Sequence, residues 1–128
     1  YKSKAKNLIA TCQILVDRYH GEVPRKFDQL VELPGVGRKT ANVVVSVLFG
    51  TPAIAVDTHV FRVSNRLKLG IAKTPEEMEQ KLQKAIPKKD WAAAHHWLIY
   101  HGRRLCKARK PLCDECFLNH VCPSAGKV

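Results

Sequence analysis

The stretch Leu33-Pro34-Gly35-Val36-Gly37-Arg38-Lys39-Thr40-Ala41-Asn42 sets two glycines between an apolar segment and a cationic pair. Proline fixes φ and removes an amide, and glycine opens left-handed backbone, so Pro34 and Gly35 end whatever element precedes them. The next residues are two cations and then an apolar run. Two readings follow. In one, the glycines end a helix and Arg38 and Lys39 merely solvate the start of the next. In the other, the turn holds a phosphate and Lys39 does chemistry beside it. Both require helices on either side of the turn.

The flanks support that. Upstream, Leu8, Ile9, Cys12, Leu15, Val16 and Tyr19 recur at helical spacing, which predicts one apolar face with Cys12 in the core. Gly21 is placed to end that helix. A short helix around Phe27, Leu30 and Val31 leads into the turn. Downstream, the run VVVSVLF (43–49) is rich in β-branched residues and fits a buried strand or a helix. No other segment supplies a strand partner, so helix is the better reading, closed by Gly50 and Pro52. Asp57 opens a further helix to Leu69, with Val60, Phe61, Val63, Ser64 and Leu67 inward and Gly70 ending it. Thr74-Pro75-Glu76-Glu77 is a helix start with threonine as cap, proline at the first position and a glutamate three after the cap. Met78, Leu82, Ala85 and Ile86 form its inner face and Pro87 stops it. From Asp90, residues Trp91, Ala94, His95, Leu98 and Ile99 mark one more helix, expected to end near Gly102. The sum is an all-α chain of about six helices with a cysteine-rich C-terminal loop.

The 128 residues suit one domain or two small ones, and an apolar content of 45% is ordinary for a globular protein. No apolar run approaches the ~18 residues of a membrane span, and no signal peptide is visible. Lys and Arg total 22 against 11 Asp and Glu, a net charge of +11. A balance this basic favours a polyanionic partner, nucleic acid first.

Four of the five cysteines fall within residues 106–122, as Cys106, Cys113, Cys116 and Cys122 in the spacing C-x6-C-x2-C-x5-C. Odd count and dense clustering do not fit a secreted disulfide framework and do fit a metal or iron–sulfur site in a reducing compartment. Zinc accepts four thiolates as well, and the spacing alone leaves zinc and iron–sulfur open. His120 lies close enough in sequence to compete as a ligand. Lys107, Arg109 and Lys110 lie between the first two cysteines and form either a phosphate clamp or a solvated basic surface.

Two further residues are candidates for chemistry. Lys39 falls in the first turn of its helix, where the positive end of the dipole disfavours a protonated amine, so it is either a nucleophile or a phosphate-neutralising cation. Asp57 follows an apolar segment and precedes a helix. It is either an N-cap or a carboxylate that assists an amine. His59 and Asn65, polar positions in the same helix, are expected to make structural hydrogen bonds.

LPGVGRKTAN, VDTHVFRVSNRL and C-x6-C-x2-C-x5-C, in that order, together with GEVP and HHWLIYHGR, resemble the endonuclease III family of DNA glycosylases, and bacterial members most. The resemblance covers nearly the whole chain. It implies a helix-hairpin-helix DNA glycosylase fold, with residues 1–56 part of the six-helix barrel domain and 57–128 the iron–sulfur cluster domain. It implies that Leu33, Pro34, Gly35, Val36, Gly37 and Arg38 contact DNA, as do Lys107, Arg109 and Lys110. Lys39 would be the nucleophile and Asp57 its assistant. Cys106, Cys113, Cys116 and Cys122 would hold a structural 4Fe-4S cluster. The implied activity is removal of oxidised pyrimidines from duplex DNA and β-elimination at abasic sites, by a monomer in the bacterial cytoplasm, associated with the nucleoid and no membrane. The family carries a long N-terminal portion absent from this sequence, so a C-terminal fragment of reduced activity is expected. The competing expectation is a non-catalytic DNA-binding module. A further one is a redox-responsive iron–sulfur protein.

Overall fold

Proline and glycine punctuation divides the chain into short helices. The computed structural model describes residues 1–128 and contains α1 (Lys2–Tyr19), α2 (Phe27–Val31), α3 (Arg38–Val47), α4 (Thr58–Leu67), α5 (Pro75–Ala85) and α6 (Trp91–Arg104). Single 3-10 turns occupy Lys88–Asp90 and Cys113–Glu115, and there is no strand. The valine-rich run is helical. Ala41, Asn42 and Val45 of α3 are buried, a spacing of one helical face rather than of strand alternation. Valine costs a helix only some tenths of a kcal/mol, which burying a side chain at about 1.5–3 kcal/mol outweighs. No helix is long and apolar enough to cross a membrane.

The chain forms two compact units, Tyr1–Ala53 and Ile54–Val128. In the first, Leu30, Leu33, Ala41, Val45 and Ala53 form the core, and Ile14, Leu15 and Tyr19 of α1 pack against it. Helix α1 ends at His20 in left-handed backbone (φ 56°). Gly21 follows with φ 81° and donates its amide to Leu15 O at 2.7 Å. The face expected to be buried is only partly so. Leu15 and Tyr19 turn inward, but Leu8, Ile9 and Val16 are exposed and so is Cys12, contrary to its expected place in the core. The rotation of α1 has a polar cause. The Thr11 hydroxyl donates to Pro34 O at 2.9 Å, and Asn7, one turn earlier, packs on Gly35. Those contacts turn the Asn7–Thr11 side of the helix toward the Pro34–Gly35 turn and leave the Leu8–Cys12–Val16 stripe outside.

In the second unit, Ile54, Val56, Val60, Val63, Met78, Leu82 and Leu98 form the core. The Thr74 side chain accepts from the Glu77 amide at 3.2 Å as expected of the α5 cap, and the Glu77 carboxylate reaches back one residue further, accepting from the Lys73 amide at 3.3 Å rather than from that of Thr74. Two expected helix ends move. Helix α4 stops at Leu67 because Lys68 takes left-handed backbone (φ 57°). Gly70 lies beyond the end and serves a close approach, since a Cβ there would come within 2.8 Å of Lys81 Cβ. Helix α6 runs through Gly102 to Arg104. Gly102 is buried within it, and a Cβ there would come within 3.0 Å of Val63 Cγ2 and 3.2 Å of His59 Cβ on α4. Gly102 is therefore the point where α4 and α6 meet closely, and helix continuation outweighs its weak propensity.

Candidate functional site

The hairpin between α2 and α3 is built from the turn outward. Leu33 is buried and anchors it in the first unit's core. The Val36 amide donates to Leu33 O at 3.1 Å across Pro34-Gly35, with Gly35 at φ 79°: the residue types and dihedral sign of a type II turn. Gly35 is required twice, by that φ and by Asn7, whose Nδ2 and Cβ lie 2.9 and 3.0 Å from where a Cβ would stand. Asn7 and Thr11 thus grip the turn from α1. Half of the α1 residues are polar or charged, so nothing in the sequence singles out Asn7 and Thr11 for this.

Gly37 differs. Its backbone (φ −96°, ψ −172°) is open to any residue, and nothing of the chain lies within 4 Å of where its Cβ would be. It is the N-cap of α3 and supplies no side-chain cap. Nothing inside the chain demands glycine there, and a small residue at an uncapped, exposed helix start leaves room for an anion. Arg38 stacks its guanidinium 5.0 Å over the Phe27 ring, which ties the α3 start back to α2. Lys39 is exposed in the first turn of α3.

Asp57 belongs to the second unit. It follows the buried Ile54-Ala55-Val56 and caps α4, with Oδ1 accepting from the Val60 amide at 2.8 Å. Its Oδ2 lies 3.2 Å from His59 Nδ1, and the carboxylate side chain is 11% exposed. His95, buried on α6, places Nδ1 2.8 Å from Ala55 O, a contact that requires the Nδ1–H form, and so fixes the backbone two residues before Asp57. His59 and Asn65 both make the hydrogen bonds expected of them: Asn65 donates to Phe61 O at 3.0 Å and accepts from the Ala72 amide at 3.0 Å. Lys39 and Asp57 are each positioned within their own unit.

Cys106, Cys113, Cys116 and Cys122 line one cavity, partly open to solvent, with Leu67, Leu112 and Ala125 among its apolar walls. Zinc at about 2.3 Å from each sulfur needs all four thiols to converge on a point. The four thiols around this one cavity are a donor set that an iron–sulfur cluster bound by one cysteine per iron also takes. The scaffold is local. Leu112 N donates to Leu105 O at 2.8 Å, Asn119 Nδ2 donates to Cys113 O at 2.6 Å, and Lys110 reverses the chain at φ 52°. His101 on α6 places Nε2 3.7 Å from Cys116 Sγ, and burial pushes its imidazole below the ordinary value of 6.5. His120 is exposed and does not line the cavity. His101 and Arg66 do, and neither is marked by the cysteine spacing. Lys107, Arg109 and Lys110 are all exposed on the loop.

Residues 1–88 match the model of the HhH-GPD superfamily of base excision DNA repair proteins, and residues 106–122 match the iron–sulfur binding domain of endonuclease III. The chain is 57% identical over 122 residues to endonuclease III of Rickettsia conorii, covering 95% of this chain and 58% of that protein. It is 52% identical over 128 residues to endonuclease III of Escherichia coli K12, covering 100% and 61%. A solved trapped endonuclease III–DNA covalent intermediate, an estranged-adenine complex, superposes with a TM-score of 0.91 at 54% identity, over 98% of this chain and 59% of that one. The chain thus spans about three fifths of the length of these relatives.

Proposed function

We propose, for a chain that belongs to the HhH-GPD superfamily of base excision DNA repair proteins and carries the iron–sulfur binding domain of endonuclease III, the activity of a DNA glycosylase with abasic-site lyase activity. The partner is double-stranded DNA containing oxidised pyrimidines or abasic sites. The hairpin residues Leu33–Gly37 and Arg38 hold the backbone: the open helix start at Gly37 receives a phosphate, and a contact of that kind positions without reading sequence. The damaged nucleotide leaves the stack. The neutral Lys39 amine then attacks the sugar C1′, the C1′–N bond breaks and the base departs with a proton. The C1′–O4′ bond of the resulting aminal then opens, O4′ takes a proton, and the Schiff base so formed acidifies the C2′ proton. Its removal breaks the C3′–O bond, so the strand is cut on the 3′ side. Asp57 assists as the carboxylate that stabilises developing positive charge.

Cys106, Cys113, Cys116 and Cys122 are the ligands of a 4Fe-4S cluster, which supplies no chemistry to the reaction and shapes the loop that carries Lys107, Arg109 and Lys110. Residues 1–56 contribute to the six-helix barrel domain and 57–128 form the cluster domain. The protein works as a monomer on DNA in a bacterial cytoplasm, at the nucleoid.

The observation that carries this reading is an exposed lysine in the first turn of an uncapped helix, two residues past a glycine that nothing inside the chain requires. One observation favours a binding-only module instead: Asp57 already spends one oxygen on capping α4. Strand cleavage on an abasic duplex separates the two. A β-elimination product that disappears in Lys39→Gln supports the lyase, and DNA binding without any cleavage supports the module.

A further inference from the structure

Arg66 grips both ends of the cysteine loop. It sits in the last turn of α4, nine residues after Asp57 and forty before the first cysteine of the motif. Its guanidinium donates through Nη1 to Lys107 O at 2.7 Å and to Cys106 Sγ at 3.4 Å, and through Nη2 to Ala108 O at 3.2 Å. Its own carbonyl accepts from the Ser124 hydroxyl at 2.7 Å, and the Cys122 thiol points at the same oxygen from 3.9 Å. One residue of α4 therefore holds the first cysteine, the two residues that follow it and, through Ser124, the chain just beyond the last cysteine.

We infer that Arg66 is a positioning residue for DNA binding, acting through the loop rather than on DNA itself; the inference rests on the reading of Cys106–Cys122 as a cluster loop and of its cations as phosphate contacts. The 107 and 108 carbonyls are committed to α4, so the backbone there cannot turn freely. The chain then reverses at Lys110 and closes through Leu112 N to Leu105 O at 2.8 Å. That shape leaves Lys107, Arg109 and Lys110 exposed together. A planar guanidinium reaches three acceptors from one side chain, which an ammonium on a flexible stem does not. The bond to Cys106 is charge-assisted once that sulfur is a thiolate ligand, and it steadies the same end of the loop.

The test compares Arg66→Lys with the parent in the cluster-loaded protein. Three readouts are taken: visible circular dichroism of the cluster, its rate of loss to a chelator under oxidation, and affinity for a duplex with a stable abasic-site analogue across a salt series. The expected result is altered visible dichroism, faster cluster loss, and affinity at least ten-fold weaker. The dependence of log affinity on log salt shrinks by up to about 3, because each lost phosphate contact removes about 0.9. Replacing Lys107, Arg109 and Lys110 together by Gln should make Arg66→Lys silent toward DNA; additive losses would show that Arg66 acts independently and overturn the proposal. If Arg66 itself held a phosphate, Lys would keep the affinity, the salt slope and the dichroism, and the proposal would fall. A lowered melting temperature with dichroism and slope unchanged would also overturn it, by leaving only a role in helix stability. Arg66→Gln takes the same readouts if the lysine variant does not fold; failure of both to fold would mean that Arg66 holds the unit rather than the loop, against the proposal. A parent that neither holds a cluster nor binds DNA overturns the functional reading and this proposal together, whereas a working parent matched by Arg66→Lys overturns this one alone.

Discussion

The two hairpin glycines look alike in sequence, and the structure assigns them opposite roles, which a pair of alanine substitutions separates. Gly35→Ala places a Cβ in left-handed backbone, at about 1–2 kcal/mol, and drives it to 2.9–3.0 Å from Asn7. Overpacking of that kind adds about 1 kcal/mol or more, for a total of about 2–3 kcal/mol. At roughly 4 °C per kcal/mol the melting temperature should fall by about 8–12 °C. Gly37→Ala meets neither obstacle, since its φ of −96° suits any residue and nothing lies within 4 Å of the new methyl group. Alanine is a poorer N-cap than glycine by somewhat under 1 kcal/mol, and it recovers about 0.4–1 kcal/mol by restricting the unfolded chain. Its stability should stay within about 0.5 kcal/mol of the parent. The methyl group instead occupies the space left for a phosphate at the start of α3. Losing one hydrogen bond to a charged group costs about 1.5–3 kcal/mol, or about ten- to a hundred-fold in affinity. Thermal melts and fluorescence anisotropy with an abasic-analogue duplex measure both quantities. A Gly37→Ala protein that binds as tightly as the parent would refute the phosphate role of the hairpin. One that melts as low as Gly35→Ala would refute the claim that Gly37 serves nothing inside the fold.

Three other outcomes follow from single contacts. Asp57→Asn should keep the α4 cap, because Asn caps as well as Asp, and so should melt near the parent while losing most strand cleavage; equal cleavage in a gel assay would return Asp57 to a purely structural role. Gly102→Ala should lower stability by about 1–2 kcal/mol in chemical denaturation, since overpacking against Val63 exceeds the roughly 1 kcal/mol gained in helix propensity; a stabilised variant would show that α4 and α6 are not locked at that point. The Lys73 amide, and then Lys81, hold the Glu77 carboxyl below its ordinary value of 4.5. Its contribution is therefore fully present above that value and is lost as pH falls through the lower folded-state value. Glu77→Gln should flatten that acid limb of the stability–pH curve, and an unchanged limb in melts from pH 6 downward would contradict the assignment.

What was legible in the sequence was local. Thr74-Pro75-Glu76-Glu77 announces a helix start because every bond it makes lies within a few residues, and the Pro34-Gly35 turn does so for the same reason. The helical reading of α3 rested on the lack of a strand partner, and its buried face has helical spacing. What stayed hidden depends on residues far apart in the chain. Which apolar stripe of α1 turns inward is decided by Thr11 and Asn7 meeting Pro34 and Gly35, so Cys12 was placed on the wrong side. Gly102 read as a terminator because the approach of Val63 is invisible in sequence. The four cysteines were visible through their spacing, which alone leaves one ion and a cluster both open; the family resemblance points to the cluster, and the match of residues 106–122 to an iron–sulfur binding domain agrees. Arg66 carries no local mark at all. Its partners lie 40 to 58 residues away.

A Lys39 nucleophile placed by the hairpin beside a bound sugar forms a Schiff base with an abasic site. Borohydride trapping on an abasic-site duplex tests it most directly, because reduction fixes a Schiff base and abasic DNA dispenses with the base pocket. The expected product is a covalent protein–DNA adduct that maps to Lys39 by mass spectrometry of the digested complex and is absent in Lys39→Gln. An adduct that persists in Lys39→Gln, or cluster-loaded protein that binds the duplex and yields none, would contradict it.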